Sequence, residues 1–230
     1  MNWQKDFIKI LDDINRIRGL ERIRFMTSHP KDAHKELFRA MRDLDKVCEH
    51  LHLPLQSGSD RILKLMNRRY TSGKYLKLAE EYKRIVPGGS LTTDIIVGFP
   101  SETDSDFKKT CVIMKDIGFD SAYTFKYSPR ERTKASELAD DVPDGVKASR
   151  LMTLGGLQCG ISEERNRYLT DKVVEVLVEG VSKKDGAILT GRTGTNKPAV
   201  FKGNRSLVGK LVEVEIESVT AYALRGRIVK

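Results

Sequence analysis

Two stretches of the sequence carry residue types that could do chemistry. Residues 50–66 read HLHLPLQSGSDRILKLM: a strand-like run, a Gln56-Ser57-Gly58-Ser59 turn, then a helical pattern. Residues 92–102, TTDIIVGFPSE, repeat the design. A turn of small polar residues where a strand gives way to a helix is where α/β proteins place ligand-binding backbone. The same Ser57-Gly58-Ser59 pattern also makes an ordinary turn and helix cap. Together the two stretches point to a small-molecule site at the carboxyl edge of a parallel sheet. Asp94 stands inside an apolar run, and a buried carboxylate needs a donor, so it is expected in the site or supporting it. His29, His50 and His52 lack metal-ligand spacing within one element. His52 alternates with Leu51 and Leu53 and reads as a satisfied structural histidine. Arg130 and Arg132 read equally as site groups or as solvated loop charges. The three cysteines, Cys48, Cys111 and Cys159, are scattered singly. That excludes a disulfide framework and a locally built zinc or iron–sulfur motif, and makes Cys48 and Cys111 core fillers.

The elements that would position these residues follow from periodicity. Phe7, Ile10, Leu11, Ile14 and Ile17 give a helix over 3–17, stopped at Gly19. A short strand is expected at 21–26, then a helix capped by Asp32 and burying Leu37, Phe38, Met41 and Leu44. Strands at 47–53, 91–99 and 120–127 alternate with helices capped at Ser59 or Asp60, running over 72–86, and opened by Thr103 or Asp104 and closed by Gly118. Alternating strands and helices with short connections mean parallel βα units. After a polar loop at 128–142, Pro143 opens a long helix with Val146, Leu151, Leu154, Leu157 and Ile161; Gly155-Gly156 inside it is a candidate kink. Beyond Tyr168 the period changes to two. Short strands at 172–179, 186–192, 198–202, 209–219 and 222–229 describe a small β-barrel, a second domain.

The chain has 230 residues, 39% hydrophobic and 32% charged, a globular composition with a net charge of +9. That charge makes a polyanion a natural partner. No apolar run is long enough for a membrane span and the first ten residues lack a signal-peptide core, so no membrane and a cytoplasmic location are expected.

TSHP (27–30), HLPLQSGSDRILKLMNRRYT (52–71), TDIIVGFPSET (93–103) and FKYSPRERT (125–133) together resemble the radical S-adenosylmethionine methylthiotransferases, nearest the tRNA branch acting on isopentenyladenosine. VLVEG (176–180), GRTGTNK (191–197) and FKG (201–203) resemble a TRAM domain, an RNA-binding β-barrel. The fold implied is α/β: an incomplete parallel βα barrel of the radical S-adenosylmethionine type over 1–165, then a small all-β, OB-like TRAM barrel over 166–230. The resemblance implies S-adenosylmethionine and tRNA as ligands. Gln56 and Ser57 fall where side chains meet the cofactor's ribose or methionine part. Ile96, Gly98 and Glu102 fall on the stretch that lines adenine, with Asp94 beside them. Tyr127 and Arg130 would orient substrate or the cofactor carboxylate. In the barrel, Lys183, Lys184, Arg192, Lys197, Lys202 and Arg205 lie in or near turns where RNA would track, and residues 168–230 hold eleven Lys or Arg against seven Asp or Glu.

The sequence also departs from the family. Its 4Fe-4S clusters are held by a Cys-x3-Cys-x2-Cys loop and by three further cysteines, and neither set is in this sequence. No metal site and no catalytic residue is therefore assigned. The chain is expected to be inactive alone, to need a missing N-terminal part as partner, and to leave its 21–26 strand an open edge. Ser101 and Glu131 stand where the family has Gly, a strain wherever φ is positive. Two alternatives stay open: the threonylcarbamoyladenosine enzyme of the same family, and a non-catalytic RNA-binding remnant using the TRAM barrel alone.

Overall fold

The apolar run around Asp94 becomes the middle strand of a parallel sheet. The computed structural model describes residues 3–26, 29–130, 133–183 and 185–229, with side chains from residue 6 onward. Among them, β1 (His50–His52), β2 (Ser90–Val97) and β3 (Ser121–Lys126) pair in the order β1-β2-β3, all parallel. Helices α1 (Trp3–Asn15), α2 (Lys35–Asp43), α3 (Asp60–Leu65), α4 (Ser72–Ile85), α5 (Asp104–Ile117) and α6 (Asp144–Arg167) accompany the sheet. Then come β4 (Val173–Val181), β5 (Ile188–Thr193), β6 (Pro198–Lys202), β7 (Leu211–Val219) and β8 (Leu224–Ile228), closed into a barrel in the order β4-β5-β6-β8-β7. No helix among the described residues is long and apolar enough to cross a membrane.

Local chemistry sets most boundaries. Thr103 and Asp106 form a reciprocal capping box at the start of α5, and Gly118, in the left-handed region, ends it. Leu51, Leu91, Ile95, Phe38, Tyr82 and Phe119 fill the sheet-side core, while Val176, Leu189, Phe201, Val214 and Ile216 fill the barrel.

Several expectations are corrected. Residues 21–26 form no strand. They make a single parallel bridge, Ile23 to Val47; Ile23 is buried and Phe25 packs on the core beside Phe7, while Arg22 and Arg24 reach across to β4. The sheet's edge is therefore the short β1. His34 rather than Asp32 caps α2, accepting from the Leu37 N–H. Ile10 and Ile17 are about half exposed, and only Leu11 of the expected α1 face is deeply buried. Helix α6 runs unbroken through Gly155-Gly156, with Pro143 at its N-cap.

The buried stripe of α6 is mainly polar: Lys147, Arg150, Gln158, Ser162 and Asn166, with Leu154 among them. Each finds a partner. Gln158 Nε2 donates to the Phe119 carbonyl (2.8 Å), and Ser162 Oγ donates to the Asp120 carbonyl (2.8 Å). Asn166 Nδ2 donates to the Thr220 carbonyl of the barrel (2.9 Å). Asp120, 7% exposed, accepts from the Leu91 N–H, from Arg165 and from barrel Lys197 Nζ at 2.6 Å. Burial pushes its carboxyl up, but Lys197 and Arg165 outweigh this and hold it below the ordinary carboxylate value.

That pair generates a prediction. Removing one partner of a buried ion pair costs about 3 kcal/mol, so Lys197→Ala should lose about that much in urea unfolding. Stability from a depressed carboxyl is present above its unfolded value and lost as pH falls through the folded one. Acid unfolding of Lys197→Ala should consequently begin at higher pH than in the parent. An unshifted acid transition would contradict this account of Asp120.

Candidate functional site

Beyond β1 the chain follows β2 without regular pairing. The Leu53 N–H donates to the Thr92 carbonyl (2.8 Å), the Leu55 N–H to Thr93 Oγ1 (2.9 Å) and the Gln56 N–H to the Asp94 carbonyl (2.8 Å). The Ile96 N–H returns to the Gln56 carbonyl (3.0 Å). Pro54 has no N–H to give, and the hydroxyls of Tyr70 and Tyr75 collect the carbonyls of Leu53, Pro54 and Leu55. Burial pushes the Tyr70 phenol up to about 12, so it remains a donor. Gln56 is thereby fixed with φ of 68°, an unusual value for a side chain outside glycine.

At the carboxyl edge lies a cleft of about 890 Å³. Gln56, Asp94, Ile96, Tyr127 and Arg130 line it, together with Asn67, Arg68, Phe99, Phe125 and Lys126. Two polar atoms of this wall, Gln56 Oε1 and Arg68 Nε, are buried without a protein partner. Asp94 Oδ2 accepts from His52 Nε2 (3.3 Å), and its side chain is 29% exposed. The wall thus offers an acceptor, a donor and a carboxylate beside the apolar faces of Ile96 and Phe99, a donor set suited to a small polar molecule with an aromatic part.

Three of the expected cofactor residues lie elsewhere. Ser57 is fully buried and its Oγ accepts from the Ser59 N–H (3.2 Å). Gly58 packs against the α5 backbone, where a methyl would strike Thr110 and Lys109, and its N–H donates to Thr110 Oγ1 (2.9 Å). Ser59 Oγ donates to Asp106 Oδ1 (2.6 Å) instead of capping α3. Burial pushes the Asp106 carboxyl up, but Arg61, Ser59 and Thr103 together hold it well below the usual range. The Ser-Gly-Ser turn is therefore a docking device for α5, and Gln56 is its one residue in the cleft wall.

Gly98 and Glu102 form a brace behind the cleft. The Gly98 N–H donates to Glu102 Oε2 (2.6 Å), which also accepts from Arg150 Nη1 (2.9 Å). Burial pushes the Glu102 carboxyl up, opposed by the Gly98 N–H and Arg150. What comes close to Gly98 is the Lys147 stem, whose Nζ reaches Asp140 (2.6 Å). Periodicity alone concealed Lys147 and Arg150, because they occupy the inward stripe of a helix read for its leucines. Phe125 was legible in principle: it shares a strand face with Tyr127. Ser101 has φ of 64°, the strained backbone expected where the family has Gly; Glu131, Arg132, Thr27 and Ser28 lie outside the described residues.

The expected RNA-binding residues divide between the barrel's two ends. The Ile188–Lys202 register pair puts the Lys183 turn, Lys202 and Arg205 at one end, all exposed. Arg192 and Lys197 lie at the other, against the sheet domain. Lys197 is spent on Asp120 and Asn166, and Arg192 on Asn196 and Glu179. Lys184 lies outside the described residues.

Residues 2–112 match the Radical SAM superfamily model and residues 169–229 the TRAM domain model. A tRNA-2-methylthio-N(6)-dimethylallyladenosine synthase of Thermoanaerobacter sp. (strain X514) is 52% identical over 97% of this chain and 48% of its own length. Along nearly its whole length the chain resembles the radical S-adenosylmethionine methylthiotransferases, with a Radical SAM region followed by a TRAM domain. Proteins of the same name from Acetivibrio thermocellus and Moorella thermoacetica are 53% and 48% identical, again over 97% of this chain and 47% and 50% of their own lengths. The chain therefore spans about half the length of the curated relatives it matches. Coproporphyrinogen III oxidase from Escherichia coli, a radical SAM enzyme, shares the fold, with a TM-score of 0.54 and 17% identity over 69% of this chain and 36% of its own.

The methylthiotransferase family implies S-adenosylmethionine and 4Fe-4S clusters. The cleft's orphaned acceptor and donor fit the organic cofactor. The cysteines do not fit a cluster: Cys48 is buried, Cys111 and Cys159 stand apart, and no three His, Cys, Asp or Glu side chains converge among the described residues.

The brace behind the cleft is open to test. At Gly98, with φ of 70°, a methyl would meet the Lys147 stem, so Gly98→Ala should cost about 2 kcal/mol in urea unfolding. A cost near zero would mean that the Gly98–Glu102–Lys147 packing is not held in solution.

Proposed function

We propose that this chain is the C-terminal portion of a tRNA methylthiotransferase that places a 2-methylthio group on N6-isopentenyl (dimethylallyl) adenosine. Its sheet would contribute one wall of the S-adenosylmethionine site, and its TRAM barrel would grip tRNA. The observation that carries the reading is the carboxyl-edge cleft in which Gln56 Oε1 and Arg68 Nε are buried without a protein partner beside Asp94. The name shared by relatives about half identical to this chain names the reaction.

When bound, S-adenosylmethionine supplies the transferable methyl group and the adenosyl carbon of radical chemistry. The chain's own part is binding and orientation. Gln56 Oε1 would accept from the cofactor's amine or hydroxyl donors, and the Asp94 carboxylate would take a hydroxyl or amino donor. Ile96 and Phe99 would exclude water from the adenine, and Arg130 would pair with a carboxylate through its forked donors. Ser57, Gly98 and Glu102 would support this wall from behind. Cluster cysteines would come from the rest of a longer protein, in keeping with the chain's share of its relatives' length. A cytoplasmic location follows from a tRNA substrate.

Lys183, Lys202 and Arg205, at the barrel end away from the sheet, would meet phosphates.

Calorimetric titration of the chain with S-adenosylhomocysteine should show saturable binding, weakened about fivefold or more by Asp94→Ala. Equal affinity in parent and variant would overturn the cofactor assignment. For tRNA, reversing Lys183, Lys202 and Arg205 to Glu should reduce the slope of log affinity against log salt by about 2 to 3. An unchanged slope would remove this face from the RNA interface.

A further inference from the structure

A hydrogen-bond chain crosses from the barrel into the cleft. It starts at Asn196, in the turn between β5 and β6, whose Oδ1 accepts from Arg192 Nη1 (3.3 Å). That contact fixes the amide, so Nδ2 faces the sheet domain and donates to His50 Nδ1 (3.4 Å). A ring nitrogen that accepts leaves the proton on the other, so His50 Nε2 donates to Thr92 Oγ1 (2.9 Å). The Thr92 hydroxyl then donates onward to His52 Nδ1 (3.0 Å). His52 Nε2 in turn donates to Asp94 Oδ2 (3.3 Å), in the cleft wall.

Each link has one donor and one acceptor, and the two ends agree on the direction: Arg192 fixes the Asn196 amide, and the Asp94 carboxylate can only accept. The links are dry: His50, His52 and Thr92 are 4%, 5% and 8% exposed. The barrel turn is clamped to the sheet a second time, because Ser90 Oγ donates to the Thr195 carbonyl (2.6 Å). Burial, with His52, Arg24 and Arg192 nearby and only Asp120 opposing, lowers the His50 pKa to about 4, so its ring is neutral at neutral pH, as the chain requires.

We infer that Asn196 of the barrel sets, through His50, Thr92 and His52, the orientation of the Asp94 carboxylate in the cleft. His50, Thr92, His52 and Asn196 are positioning residues, and a contact made by the barrel turn is felt at the small-molecule site by a reversal of hydrogen bonds. What Asp94 then holds rests on the reading above; the chain of donors does not.

Asn196→Asp keeps size and the Arg192 contact but can only accept. As a neutral ring His50 must then carry its proton on Nδ1 and accept from Thr92, and His52 must turn Nδ1–H to Thr92 with its Nε2 bare toward Asp94; an imidazolium His50, which would satisfy the new carboxylate and Thr92 together and leave His52 as it was, overturns the inference. With the full chain labelled with 15N-histidine, imidazole 15N shifts at pH 7 should show His50 and His52 as Nε2–H forms in the parent. Asn196→Asp should move both away from that form, with His29 and His34 as internal references. Adding Thr92→Val should leave the His50 change and abolish the His52 response. Either histidine as Nδ1–H in the parent, a reading that needs no variant to fold, overturns the inference. So does a His52 signal indifferent to Asn196→Asp while His50 switches.

In the S-adenosylhomocysteine titration, Asn196→Asp and Thr92→Val should each weaken binding about fivefold. Switched tautomers with unaltered affinity would overturn the positioning role. Absent binding in the parent with the expected parent tautomers and a His52 response would count against the cofactor reading alone.

Discussion

One buried carboxylate holds the three parts of this molecule together. Asp120 sits where β3 begins, takes the Leu91 N–H of the neighbouring strand, and receives Arg165 from α6 and Lys197 from the barrel. Taken from water alone, such a charge would be costly; met by two cations and an amide it is held ionised. Its geometry is shared by the sheet, the helix and the barrel, so none of them can be displaced without stranding the charge. The cleft depends on this indirectly. The barrel turn that touches His50 is in place because Lys197, four residues along from Thr193, is anchored at Asp120.

The same logic, polar groups locking positions that apolar packing would leave loose, recurs around the cleft. The residues 53–56 are hung from β2 by side chains and carbonyls in place of a regular ladder, with tyrosine hydroxyls taking up what Pro54 cannot offer. Asp106 gathers Ser59, Thr103 and Arg61, fixing the turn against α5. The outcome is a wall that offers the cleft an amide oxygen from Gln56, a carboxylate from Asp94, cationic groups from Arg68, Lys126 and Arg130, and aromatic edges.

Much of this was legible in the sequence, and the limits of legibility have physical causes. Periodicity located β2, β3, the helices and all five barrel strands, because apolar burial there repeats with the period of the element. It failed at 21–26, where Ile23 and Phe25 do alternate inward between arginines but a single bridge to Val47 replaces the ladder of a strand. It misjudged α6, whose inward stripe is polar, since hydrophobicity reports burial only when the buried residues are apolar. In the site, Gln56, Asp94, Ile96 and Arg130 reach the cleft wall. Ser57, Gly98 and Glu102 do not, because a turn of small residues serves close backbone packing as well as it serves a ligand. Lys197 and Arg192 read as surface charges because their partners, Asp120 and Asn196, are respectively distant in sequence and uncharged.

The polar stripe of α6 also bears on how this chain can change over generations. In an apolar interface, residues drift one at a time, each exchange filling much the same volume. Along α6 each side chain answers a particular partner: Arg150 to Glu102, Gln158 to Phe119 and Ser162, Asn166 to Thr220 and Lys197. An exchange of Arg150 strands the buried Glu102 carboxylate, and an exchange of Gln158 or Asn166 strands a backbone carbonyl that no substitution opposite can remove. The helix is thereby a demanding template, on which few side chains other than those present would keep these partners paired.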